Sequence, residues 1–126
     1  MSQTHPLARA KGHGSAHSGV QHWLAQRLSA VFLLFLSGWM IYAMFALAGA
    51  DYEAVRAFVA RPLNAALLVL LLITMLYHAM LGLQVVIEDY VHQRAAEIAL
   101  HFVVRAGAFL GMALGVVNVL QIALGD

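Results

Sequence analysis

The residues of this chain best suited to chemistry lie in His78–Gln93, which reads HAMLGLQVVIEDYVHQ. His78 sits inside a long apolar run, and Glu88, Asp89 and Tyr90 close it. Asp89 follows His78 by eleven residues. At about 100° per residue that is close to three helical turns, so both residues fall on one face, ~16 Å apart along the axis. The spacing thus sets an imidazole inside the apolar run and an acid at the mouth of the same face, with a phenol beside it.

A charged side chain in the middle of a membrane helix costs roughly 2.5 kcal/mol or more, so an ionisable residue there is a functional candidate. His78 is roughly 13 residues, or ~20 Å, from the end of its helix and cannot reach the interface. A neutral imidazole at that depth has three uses: ligating haem iron, packing with a hydrogen bond to a neighbouring helix, or relaying protons. Gly82, one turn on, clears room for a flat group or for another helix. Thr74, one turn back, can bond a backbone carbonyl. A haem edge against Thr74, His78 and Gly82 is physically sensible. At the helix end, Asp89 and Tyr90 can bind and protonate a carbonyl-bearing, lipid-soluble molecule. Tyr90 also suits plain interfacial anchoring.

The elements that position these residues are membrane helices. The chain has 126 residues, 63% hydrophobic and 10% charged. A soluble domain carries roughly twice that share of charge. Three long stretches, Leu28–Ala50, Pro62–Ile87 and Ala106–Gly125, contain no Asp, Glu, Lys or Arg. Runs of about twenty such residues span a bilayer. The expected fold is all-α, a single anchor domain over residues 1–126 with three transmembrane helices, at about 20–49, 62–90 and 95–124, in an up-down-up bundle. Residues 1–18 read as a flexible tail without the apolar core of a signal peptide. Ser18 suits the first N-cap. Tyr52, Val55, Phe58 and Val59 share a face and predict a short surface helix. Pro62 fits the first turn of the second span.

Lys and Arg are more frequent at the N-terminal side and the 91–94 turn than on the other face, which predicts a cytoplasmic N-terminus. The absence of cysteine excludes disulfides and thiolate chemistry. The net charge of +1 gives no reason to expect nucleic acid as a partner. The histidines of the Gly/Ser-rich tail form no preformed cage, so no metal site is expected there. Gly107, Gly111 and Gly115 form a small-residue stripe for close helix contact. At the start of the first span, His22 and Arg27 are five residues apart and do not share one clean face. Arg27 is either a snorkelling anchor or a partner for carboxylates, and Arg105 reads as snorkelling.

Together these features resemble the small hydrophobic anchor (D-type) subunit of succinate dehydrogenase, respiratory complex II. The resemblance rests on His78 followed by Asp89-Tyr90 at the end of the second of three spans, extended by Val91-His92. HWLAQRLSAV at the start of the first span resembles the family's histidine–arginine segment. It implies a non-flavin subunit of an enzyme, with no catalytic residue or activity of its own. Its implied partners are a flavoprotein subunit, an iron–sulfur subunit, a second cytochrome b-type anchor and membrane lipid, in a bacterial inner membrane. It further implies a haem b shared with that second anchor, with His78 as an axial ligand to the haem iron and Arg27 and His22 at the propionates. Ubiquinone would be the substrate, met by Tyr90 and Asp89. The other histidines lie in the tail or near the interface (His22, His92, His101), so the second axial ligand is expected from the partner anchor. Remaining alternatives are the anchor of a quinol:fumarate reductase, a haem-free structural anchor, and a small proton channel.

Overall fold

A computed structural model describes residues 17–125. Four helices follow one another: α1 (His17–Ala46), α2 (Tyr52–Val59), α3 (Pro62–Tyr90) and α4 (Arg94–Leu124). Among the described residues there is no strand. Three of the helices are long and apolar enough to cross a membrane, which matches the expected fold class. α3 has 29 residues and α4 has 31. At 1.5 Å per residue each exceeds ~40 Å, more than the ~30 Å hydrocarbon core, so their ends reach the interfaces.

The boundaries follow local chemistry. α1 ends at Ala46, three residues before the end expected from hydropathy, because Gly49 takes φ +81° and turns the chain out of the helix. The Ala50 N–H then bonds the Leu47 carbonyl at 2.9 Å. α1 is already helical at His17, which puts Ser18 inside it rather than at its N-cap. The rest of the expected tail, with His5 and His13, lies outside the described residues. Asp51 caps α2 by accepting the Ala54 N–H at 2.9 Å. The Asn64 amide donates to the Phe58 carbonyl at 2.8 Å and ties the end of α2 to the start of α3. Of the expected apolar face of α2, Phe58 and Val59 turn partly inward, and Phe58 stacks on Trp39 with centroids 6.3 Å apart. Tyr52 stays exposed.

The three spans form an open row rather than a closed triangle. α3 packs against both α1 and α4, and among the described residues α1 and α4 do not pack on each other. The row has little core. Leu36, Ala43, Ala65, Leu81, Ile87 and Ala108 are its buried apolar residues, while Phe35, Phe45 and Phe102 are each more than 70% exposed. Lipid or another chain must cover these faces, since no water-soluble monomer presents so much contiguous apolar surface.

The α3–α4 contact uses two of the three expected glycines. A Cβ on Gly111 would lie 3.2 Å from Leu76 Cδ1, and one on Gly115 would collide with the Leu72 side chain. Gly107 faces open space. Leu72 and Leu76 therefore seat as knobs on bare helix backbone, the close packing that holds helices together where lipid supplies no hydrophobic drive. Alanine gains the same helix propensity at each position, so the difference between positions isolates the clash. Gly115→Ala is expected to destabilise the protein in detergent by ~1–3 kcal/mol relative to Gly107→Ala, read by denaturant unfolding. Equal stabilities would show that the stripe does not set the α3–α4 contact.

Candidate functional site

The row leaves a gap between α1 and α4, floored by α3. Nearest the shared helix ends this gap is a cleft of about 610 Å³. α1 contributes His22, Trp23, Gln26 and Arg27; α3 contributes Gly82, Gln84, Val85 and Glu88; α4 contributes Arg105. His22 and Arg27 thus meet in one cleft although their spacing puts them on different faces. Arg27 extends beside Trp23, with its guanidinium carbon 5.6 Å from the ring centroid, a cation–π contact. Among the described residues neither Arg27 nor Arg105 has a carboxylate within ion-pair distance. Glu88 lies 3.9 Å from His101 Nε2. Two guanidinium groups against one carboxylate make the cleft suited to anionic groups such as carboxylates.

His78 lies at the inner end of this arrangement, half-buried between α1 and α3. Its Nδ1 is 2.9 Å from Ser29 Oγ, and its Nε2 is 3.4 Å from Gln26 Nε2. These contacts fix the proton. The Ser29 hydroxyl has one proton, so a bond to a backbone carbonyl leaves it only lone pairs for His78, and the ring proton sits on Nδ1. Nδ1–H then donates to Ser29 Oγ, while the Ser29 hydroxyl donates to the Gln26 carbonyl oxygen at 3.0 Å. The imidazole is thereby held with its Nε2 lone pair directed away from Ser29.

Gln26 is the least satisfied member of the set. Its Oε1 is buried without a hydrogen-bond partner, and its Nε2 lies 3.5 Å from where a Cβ on Gly82 would stand. The Gln26 amide thus occupies the space that both His78 Nε2 and Gly82 face. Further out, His22 Nε2 pairs with Gln84 Oε1 at 3.4 Å, and Gln84 is buried. His22, Gln26 and Ser29 recur at i, i+4 and i+7 on α1, the spacing of one helix face. Sequence reasoning missed Gln26, Ser29 and Gln84, and singled out Glu88 only as part of the Glu-Asp-Tyr end. That repeated polar spacing on an apolar helix was the signal available for α1.

The structure separates other expected neighbours. Thr74 lines a different hollow, with Ser29, Phe32 and Tyr77, so Thr74 and Gly82 do not border one space. Asp89 and Tyr90 are exposed on the last turn of α3, and Tyr90 is 77% exposed. Neither lines the cleft; Glu88 does.

Compared with known proteins, residues 1–114 match the family described as succinate dehydrogenase/fumarate reductase transmembrane subunit. The chain belongs to this family. Among its relatives is the succinate dehydrogenase hydrophobic membrane anchor subunit of Rickettsia bellii (strain RML369-C), 46% identical over 85 residues, which are 68% of each chain. The protein of the same name from Rickettsia conorii (strain ATCC VR-613 / Malish 7) is 40% identical over 86 residues, again 68% of each chain. That of Paracoccus denitrificans is 32% identical over 102 residues, 81% of this chain and 79% of its own. The family resemblance drawn from His78, Asp89 and Tyr90 is borne out at the level of family.

The hydrogen bonds around His78 give a direct spectroscopic expectation. In ¹⁵N-histidine-labelled protein without added cofactor, the His78 ring should show a protonated Nδ1 and a bare Nε2. A proton on Nε2 would overturn the network derived above.

Proposed function

We propose that this chain is a membrane anchor subunit of a succinate:quinone oxidoreductase that binds haem b and ubiquinone together with a second anchor. The observation that carries the reading is the His78 corner: an imidazole at membrane depth, its Nε2 free of a proton and facing an amide with an orphaned oxygen. Family membership supplies the context.

The residues fit such a group. An axial ligand needs a neutral imidazole with one nitrogen bare, and the bonds of His78 favour that form. Swinging the Gln26 side chain aside would open the space before Nε2 and next to Gly82, and would release the buried Oε1 from its unpaired position. Arg27, with His22, would meet the propionates, and Arg105 reaches the same cleft. Haem bound there supplies a one-electron carrier within the membrane. Among the described residues no second histidine stands beside His78. His22 pairs with Gln84 and His101 faces Glu88, so a second ligand to haem iron would be supplied by the partner anchor.

At the end of α3, Tyr90 donates a hydrogen bond to a quinone carbonyl, and Asp89 orients the phenol or passes it a proton. Reduction of a quinone to a quinol takes up two electrons and two protons, and an exposed acid beside a phenol offers a proton route from the interface. Their exposure accords with a pocket whose other walls lie on neighbouring subunits. The flavoprotein and iron–sulfur subunits would dock on that face, which Lys and Arg mark as cytoplasmic in a bacterial inner membrane. Fumarate reduction would use the same anchor with the electron flow reversed. A second reading, a haem-free anchor with His78 as a packing residue, is favoured by the closed hydrogen-bond set of His78 with Ser29 and Gln26.

Two substitutions test the assignment in the purified complex. His78→Ala should abolish bis-imidazole axial ligation in the redox spectrum, while succinate oxidation by an artificial dye continues. Unchanged axial ligation would favour the packing reading. Tyr90→Phe should lower quinone reduction by ~10²-fold or more, the usual worth of a positioned proton donor, and leave the haem spectrum intact. Loss of haem from the Tyr90 variant would sink its assignment to quinone.

A further inference from the structure

We infer that Ser29 is the positioning residue for His78: it holds the imidazole in the iron-binding tautomer and sets how strongly that ring donates to the metal. The inference rests on the reading of His78 as an axial ligand.

Ser29 is one of two buried polar residues among those described, with 6% of its surface exposed. Nothing in α1 requires a hydroxyl there for helix formation. Its oxygen stands 2.9 Å from His78 Nδ1, the shortest contact the ring makes, and 3.0 Å from the Gln26 carbonyl one turn back on its own helix. A hydroxyl has a single proton. Donated to the backbone carbonyl, as serines in helices commonly do, it leaves only lone pairs toward Nδ1. The reverse arrangement, with the hydroxyl donating to Nδ1, would put a proton on Nε2. It would also give up the 3.0 Å bond to the Gln26 carbonyl, since the single hydroxyl proton cannot serve both. Only the first arrangement keeps both bonds of Ser29, and it is the one that leaves Nε2 bare.

This anchoring bears on electronics as well as orientation. A ring that donates its second N–H to a fixed acceptor becomes a more basic metal ligand. A more basic ligand stabilises the oxidised iron and lowers its reduction potential, a lever the protein holds through hydrogen bonding to the ligand. Because Ser29 belongs to α1 and His78 to α3, the seating of α1 sets the strength of that lever.

The test compares four residues at position 29 in the intact complex. Serine and Ser29→Thr carry the hydroxyl; Ser29→Ala and Ser29→Val lack it, and Val matches Thr in shape. The readouts are the haem midpoint potential, the low-spin electron paramagnetic resonance spectrum and haem content. Ser and Thr are expected to group together. Ala and Val should shift the midpoint potential upward with an altered low-spin signal, or lose haem. Grouping by size, or four equal potentials and spectra, would overturn the role of Ser29. His78→Ala run in parallel separates the two ideas. If it loses axial ligation while position 29 has no effect, only the Ser29 inference fails; if axial ligation survives, the ligand assignment itself fails.

Discussion

In lipid a buried polar group finds no water, so every such group on a helix face must find a partner on another helix. That constraint organises this chain. α1 carries His22, Gln26 and Ser29 along one face, and α3 presents Gln84 and His78 opposite them. Antiparallel pairing brings His22 to Gln84 at one level and Ser29 to His78 deeper in. The only buried polar residues among those described, Ser29 and Gln84, both lie on this seam. These side-chain hydrogen bonds tie α1 to α3 in one register.

The opposite side of α3 is held by different physics. Leu72 and Leu76 press onto Gly115 and Gly111, with no polar contact needed. α3 therefore has two faces with separate work: a glycine-seated face that gives rigidity, and a polar face that gives specificity. The cleft exists because the helices on those two faces do not close on each other. Its basic lining comes from both outer helices, so Arg27 and Arg105 converge only once the row has formed.

Much of this was legible in the sequence. Hydropathy located the spans, and the lone histidine of the second span pointed to the candidate site. Gly111 and Gly115 announced a close contact, although only the fold tells them from Gly107. The polar seam was harder to read. Gln26, Ser29 and Gln84 are uncharged and individually ordinary, and their meaning comes from pairing between residues 49 to 62 positions apart in the chain. The five-residue gap between His22 and Arg27 misled for a related reason. Helical phase locates a Cβ, whereas a long side chain braced on Trp23 reaches well beyond its own face. Thr74 shares the phase of His78 but lines a separate hollow with Ser29 and Phe32.

The open row also dictates a sequence of events during synthesis. α3 and α4 are joined by Val91–Gln93 and can pair as soon as both have entered the bilayer. α1 is made first, and its counterpart on α3 follows only after the turn and the intervening α2. Until then Gln26 and Ser29 must reside in lipid or beside some other helix without their native partners, at a modest cost of ~1 kcal/mol or so for each group. α1 is thus the span whose polar face depends on a later-made helix for its partners. His78 thus completes the polar face of a helix made some fifty residues before it.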